Sequence, residues 1–190
     1  MRGYFGIGLE GVSKPMNAGN LFRSAHAFGA SFIFTIAAEF SYGRIRHADT
    51  SATPGEVPFH EYDRVADLAL PKGCRLVGVE LAEDAVELPS FRHPRQAAYV
   101  LGPERGSLSP ALVERCDFLV RIPTAFCVNV ATAGAIVMYD RMLSLGRFAE
   151  RAVMAGGTPL PPPPHVAGAP RRRREQGWIT PTRPSRPRSG

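Results

Sequence analysis

The sequence predicts an α/β fold, a mostly parallel sheet with helices on both faces. Two observations carry that prediction. Short apolar runs alternate with segments of helical period along the chain, the pattern of successive βαβ units. The segments with interesting chemistry all fall where a predicted strand ends or a predicted helix begins, which is where such folds gather loops into a ligand crevice.

The elements follow in order. Tyr4 to Leu9 reads as an opening strand and Gly11 to Met16 as a loop. From Asn17 the pattern becomes helical, with Leu21, Phe22, Ala25 and Phe28 recurring on one side, Asn17 as N-cap and Gly29 as terminator. Ser31 to Ile36 is a dense apolar strand, and Ala37 to His60 is mostly loop. Tyr62 to Leu70 reads as a short helix, and Pro71-Lys-Gly73 punctuates the return to a strand at Arg75 to Leu81. Ala97 to Leu101 is a buried strand, Pro110 to Arg115 a helix and Phe118 to Ile122 a strand. Val128 to Leu145 is the longest helix, and its start is small and apolar. Its Ala131, Gly134, Ala135 and Met138 suit close packing, against a partner copy or within one chain.

With 190 residues, the chain has room for one ordinary domain and an appendage. We place the domain at 1–150 and a disordered, Pro/Arg-rich basic tail at 151–190. Residues 159–190 hold seven arginines against Glu175 alone, together with nine of the eighteen prolines, so the whole net charge of +6 resides there. Such a composition buries too little apolar surface to offset chain entropy. An Arg-rich arm suits nucleic acid, although a charge run is as often a solvated face.

Cys74, Cys116 and Cys127 are too few and too irregular for a disulfide framework or a zinc site, so no metal is expected. The opening residues lack a signal-peptide run, and no stretch approaches membrane-spanning length. A cytoplasmic protein with no membrane association is the expectation. Gly6-x-Gly8-x-x-Gly11 matches a dinucleotide fingerprint in letters only. Too few residues precede it, Pro15 interrupts the segment after it, and the acidic partner expected about 20 residues on is missing. These glycines read as small residues in a buried strand. His26, His47, His60 and His93 are scattered and point to no catalytic role.

Three segments remain. Asn17, Gly19 and Arg23 open one helix, where exposed N–H groups and a guanidinium make a good anion site; a capped helix with one surface arginine is the plainer account. Glu104 follows a strand end in Leu101-Gly102-Pro103-Glu104 and could hold a ligand or cap a helix. Cys127-Val128-Asn129 precedes the last helix, where Asn129 could be a cap alone. None supplies a strong nucleophile, so the chemistry would come from a bound cofactor.

Together, in this order and with Ile122-Pro123, the three segments resemble the motifs of the SpoU/TrmH family of RNA ribose 2′-O-methyltransferases, over about residues 3 to 148. The resemblance implies a deep trefoil knot in the carboxyl-terminal part, S-adenosylmethionine as methyl donor, and a homodimer. It also implies Arg23, Asn17, Glu104 and Asn129 as catalytic residues, and Val79, Leu101, Gly102, Ile122, Cys127 and Val128 around the donor. The substrate it implies is RNA, with transfer RNA ahead of ribosomal RNA because no accessory RNA-binding domain precedes the first strand. A non-catalytic RNA-binding module on the same fold is the alternative from another class. The chain departs from the pattern in three places. Cys127 stands where many relatives have Ser, the spacing from Pro123 to Asn129 is shorter, and Gly106 comes one position early after Glu104.

Removing residues 159–190 should weaken binding to different RNAs by similar factors, because such arginines contact the phosphate backbone. It should also flatten the salt dependence, by about 0.7 to 0.9 in log–log slope for each phosphate no longer neutralised. Fluorescence titration at several salt concentrations reads both. Equal affinity and equal slope with and without the tail would make it a bystander.

Overall fold

A computed structural model describes residues 3–40, 43, 56–103, 106–146, 148–149, 151–152 and 154–159. Most of the predicted loop at 37–60, Glu104 and nearly all of the basic tail lie outside the described residues. By its internal contacts the chain divides after Phe148. The first unit holds the sheet. In the second, Gly157 N–H closes a turn onto the Met154 carbonyl at 3.0 Å, with Gly156 at φ +72°.

The strands are β1 (Tyr4–Glu10), β2 (Phe32–Ile36), β3 (Phe59–Tyr62), β4 (Arg75–Val79), β5 (Val86–Glu87), β6 (Gln96–Leu101) and β7 (Phe118–Arg121). They form one sheet of order β3-β2-β1-β6-β4-β7-β5, in which every neighbouring pair is parallel. All seven carboxyl ends therefore lie along one edge. The α-helices that lie end to end among the described residues are α1 (Pro15–Ala27), α2 (Pro110–Arg115) and α3 (Val130–Leu145).

Central strands covered on both sides read as unbroken apolar runs, and β2 and nearly all of β6 are buried along their length. One face of the sheet, with Ile7, Leu9, Ile33, Val77, Tyr99 and Val120, packs against α1 and α3. The other face, with Phe32, Phe34, Leu76 and Val100, packs against Leu68, Leu108 and Leu112 of α2. Gly6 and Gly8 sit beside Phe32 and Phe34 in the register, and an added Cβ would fall 2.2 Å and 2.5 Å from those rings. That contact explains the glycine pattern without a nucleotide.

The structure corrects three expectations and decides between two alternatives for a fourth element. Helix α1 begins at Pro15 with Lys14 as N-cap, because proline at the first helical position is pre-set for the helix and lacks only an N–H that would be unpaired anyway. Asn17 is thus not the cap. Tyr62 to Leu70 holds only a single 3₁₀ turn at Val65–Asp67. Its carbonyls at Val65 and Leu68 accept from the Arg115 guanidinium, so a partner far along the chain takes bonds that a helix would have made. Strands β3 and β5 are short and lie at the sheet's two edges, where the sequence pattern predicts no strand. Of the two packings open to the small face of α3, the structure shows the one within the chain. Ala131, Gly134 and Met138 are buried, and a Cβ on Gly134 would lie 2.1 Å from Leu21 of α1.

The other end of α3 is held by a buried polar network. Arg141 donates to the Pro94, Tyr4 and Arg95 carbonyls and to the Tyr99 hydroxyl (3.1 Å). Since Arg141 can only donate, the Tyr99 O–H is available to His93 Nδ1 (2.6 Å), and His93 Nε2–H then donates to Asp140 (2.8 Å). Burial pushes the Tyr99 hydroxyl up to about 12, which keeps it a donor. Burial also lowers His93, outweighing the opposing hydrogen bond to Asp140, so the ring is neutral in the folded protein.

His93 thus links stability to pH. Unfolded, it takes up a proton near its ordinary value of 6.5, whereas folded it resists. Its contribution is full above pH 6.5 and is lost as pH falls below that value. The melting temperature should decline over this window, and His93→Gln, which cannot titrate, should flatten the decline. An unchanged slope in the variant would place the acid sensitivity elsewhere.

Candidate active site at the carboxyl ends of the strands

The sheet's direction assembles the site. Val79 ends β4 and lies beside Leu101, which ends β6, while Val79 also neighbours Val120 near the end of β7. Leu101 belongs to the core cluster, and Val79, Ile122 and Val128 pack against it. Four of the six residues expected around the donor therefore belong to or pack against the same core, and Val79 and Leu101 are neighbours at the edge where open parallel sheets bind ligands. Gly102 is next. A Cβ there would lie 3.2 Å from the Leu108 nitrogen and 3.3 Å from the Ser107 carbonyl carbon, so the loop returning from β6 crosses over it. Cys127 is exposed in the connection to α3, as is Phe126 at 78%.

The structure also joins the first and third segments. Asn129 caps α3, its Oδ1 accepting from the N–H groups of Ala131 (2.9 Å) and Thr132 (3.4 Å). Its amide orientation is thereby fixed, and Nδ2 donates to Asn17 Oδ1 at 3.1 Å. Because Asn17 is spared from capping, its side chain is available for this bond. The bond in turn orients Asn17, leaving Nδ2 as the donor at the other end of its amide. Gly19 is buried where α1 packs on the sheet, and Arg23 is exposed further along the helix, roughly 9 Å beyond Asn17 at about 1.5 Å per residue.

Two carboxylates that sequence reasoning passes over also face this edge. Glu10, buried at the end of β1, accepts from Ser109 N–H (2.7 Å) and Ser109 Oγ–H (2.5 Å). Glu80, just past β4, accepts from Leu108 N–H at 2.7 Å. A charged residue closing the apolar run Tyr4–Leu9 is a signal for the first; nothing local marks the second. Among the described residues no group of three or more His, Cys, Asp and Glu side chains could hold a metal ion. No described helix is long and apolar enough to cross a membrane.

The sequence matches the profile of the SpoU rRNA Methylase family over residues 4–139. The chain belongs to that family. It is 32% identical over 139 residues to the 23S rRNA (guanosine-2′-O-)-methyltransferase RlmB of Nitrosomonas europaea, covering 70% of this chain and 53% of the relative. It is 26% identical over 137 residues to the tRNA (guanosine(18)-2′-O)-methyltransferase TARBP1 of Mus musculus, covering 68% of this chain and 9% of the relative. The chain thus spans at most about half the length of these relatives. An AdoMet-bound rRNA methyltransferase from Sinorhizobium meliloti superposes with a TM-score of 0.67 at 25% identity, over 76% of this chain and 58% of that one. A structure addressing 2-OH methylation of C/U34 on tRNA gives 0.64 at 26% identity, over 75% and 97%.

Asn129→Ala should cost about 1 kcal/mol in urea denaturation, the usual value of an N-cap. Asn129→Ser, which still caps, should recover most of that stability while losing the reach to Asn17. Equal stability of the alanine variant and the wild type would remove Asn129 as the determinant of where α3 begins.

Proposed function

We propose that this chain is an S-adenosylmethionine-dependent RNA methyltransferase acting on a ribose 2′-hydroxyl. The observation that carries the reading is the Asn129–Asn17 bond, which joins the first and third segments, together with Val79 and Leu101 side by side at the carboxyl edge of a SpoU-family sheet. Apolar residues suit an adenosine and a thioether chain, and the backbone of residues 107–108 closes over Gly102, so the turn after β6 is held tightly beside Leu101. Val79, Leu101, Gly102, Ile122, Cys127 and Val128 would hold the donor. When bound, S-adenosylmethionine supplies an electrophilic methyl group.

The remaining work falls to the chain's own side chains. A ribose hydroxyl is hardly ionised at neutral pH, so its proton has to leave as the new bond forms. Arg23 cannot take it, since a guanidinium stays protonated. Arg23 instead grips an RNA phosphate and neutralises charge growing on the 2′-oxygen, and a phosphate oxygen is the base within reach of such a grip. Asn17 and Asn129 orient the ribose by amide hydrogen bonds; Glu104, the fourth residue that the resemblance names, lies outside the described residues.

Transfer RNA is the substrate we place first, because the likeness to the tRNA C/U34 structure runs over nearly all of that chain. Ribosomal RNA is the second reading, favoured by the likeness to RlmB. A homodimer is part of the proposal. The support is the outer side of α3, where Ile136 and Tyr139 are exposed, since the small-residue side is occupied by α1. The strand order, with β6 inserted between β1 and β4, supports the knotted carboxyl-terminal half that the resemblance implies.

Arg23→Ala should abolish methyl transfer to RNA while S-adenosylmethionine still binds, and Arg23→Lys should rescue only in part, since a point charge cannot replace a planar fork of donors. Radiolabel transfer and calorimetry separate the two effects, and sedimentation of the same samples checks the dimer. Wild-type turnover by the alanine variant would overturn the role of Arg23; an active monomer would overturn the dimer.

A further inference from the structure

The loop that leaves β6 at Gly102 and enters α2 after Ser109 is gripped from both sides. In the sheet, β1 and β4 are the two neighbours of β6. Each ends in or just before a glutamate that turns onto this loop. From the β1 side, Glu10 takes Ser109 N–H at 2.7 Å on one oxygen and Ser109 Oγ–H at 2.5 Å on the other. From the β4 side, Glu80 takes Leu108 N–H at 2.7 Å on one oxygen, while its other oxygen accepts from Leu81 N–H at 2.9 Å. The returning backbone lies over Gly102, where a Cβ would meet the Leu108 nitrogen at 3.2 Å. The start of the loop and its end are thus pressed together, with a carboxylate on either flank.

A buried carboxylate is a costly way to hold a loop if stability were the only requirement, and Glu10 is 6% exposed. What charge-assisted bonds add is direction: short, oriented contacts that fix backbone atoms lacking regular secondary structure. The atoms fixed here adjoin Leu101 and Gly102, the part of the edge assigned to the methyl donor. We infer that Glu10 and Glu80 are positioning residues that hold residues 107–109 over Gly102 in the arrangement that receives the donor. The inference rests on the donor site proposed above. It gives these glutamates no contact with the reacting atoms.

The test compares the full-length wild type with Glu80→Ala, Glu80→Gln and Glu10→Gln, using S-adenosylmethionine itself as the probe. Glu80→Ala should weaken calorimetric affinity by about tenfold, the scale of one missing charge-assisted hydrogen bond. Glu80→Gln should recover much of it, because the carboxamide oxygen still accepts from Leu108 N–H. Amide exchange should quicken at residues 106–109 and not in β1, β4 or β6, and the melting temperature should hold. In turnover, KM for the donor should rise while kcat at saturating donor stays near wild type. Should Glu80→Ala fail to fold, the two glutamine variants carry the test, each with a donor affinity reduced about threefold because a neutral acceptor bonds more weakly. Wild-type donor affinity in folded variants would overturn the inference and leave the donor site standing. An affinity loss that accompanies a general loosening of the sheet would also overturn it, reducing the glutamates to structural supports. A wild-type protein that binds no S-adenosylmethionine would sink the donor site and this inference with it.

Discussion

The parallel direction of all seven strands is the constraint on which the rest depends. Once β1, β4, β6 and β7 run the same way, Glu10, Val79, Leu101 and Arg121 finish at one edge, though they are scattered widely along the sequence. Among the described residues the segments directly after them have no regular structure of their own, and the sheet places them. That direction requires both faces to be covered, which is why β2 and β6 are apolar almost throughout and why glycines lie beside the phenylalanines of β2. Packing and the candidate site are consequences of one arrangement.

Asn129 shows how closely the two are joined. One side-chain oxygen starts α3, and the amide nitrogen of the same group holds Asn17 on α1. The helices themselves touch where Gly134 admits Leu21, so the distance between the two asparagines is set by the core beneath them. At the far end of α3, Arg141, Tyr99, His93 and Asp140 satisfy one another in the interior and fix the helix against the amino-terminal ends of β1 and β6. The helix is held at both ends by polar contacts and along its middle by small residues.

Much of this is legible in the sequence, and the illegible parts have a common physical cause. The buried strands β1, β2 and β6 and the helix α2 are readable because their signals are local: apolar runs, a Ser-Pro start, and Gly29 at positive φ after α1. The three chemical segments are readable because strand ends and helix starts mark them. Tyr62–Leu70 reads wrongly as a helix because its backbone is satisfied by Arg115, which no local pattern reveals. Asn17 reads wrongly as a cap because Pro15, two residues earlier, has a stronger claim on the helix start. The packing partner of Ala131 and Gly134 is not legible because small residues serve close packing within a chain as well as between chains, and only the fold shows Leu21 against Gly134. Glu10 and Glu80 escape notice since their partners, Ser109 and Leu108, lie 99 and 28 residues away.

The central claim is that the carboxyl edge of β6, β4 and β7 takes a methyl donor. Amide chemical-shift mapping on addition of S-adenosylmethionine tests it most directly. The account predicts shifts concentrated at residues 79–81, 101–103, 106–109 and 121–130, with the amino-terminal edge around Gln96 and Arg75 unmoved. Shifts centred on that opposite edge, or none at saturating donor, would contradict it.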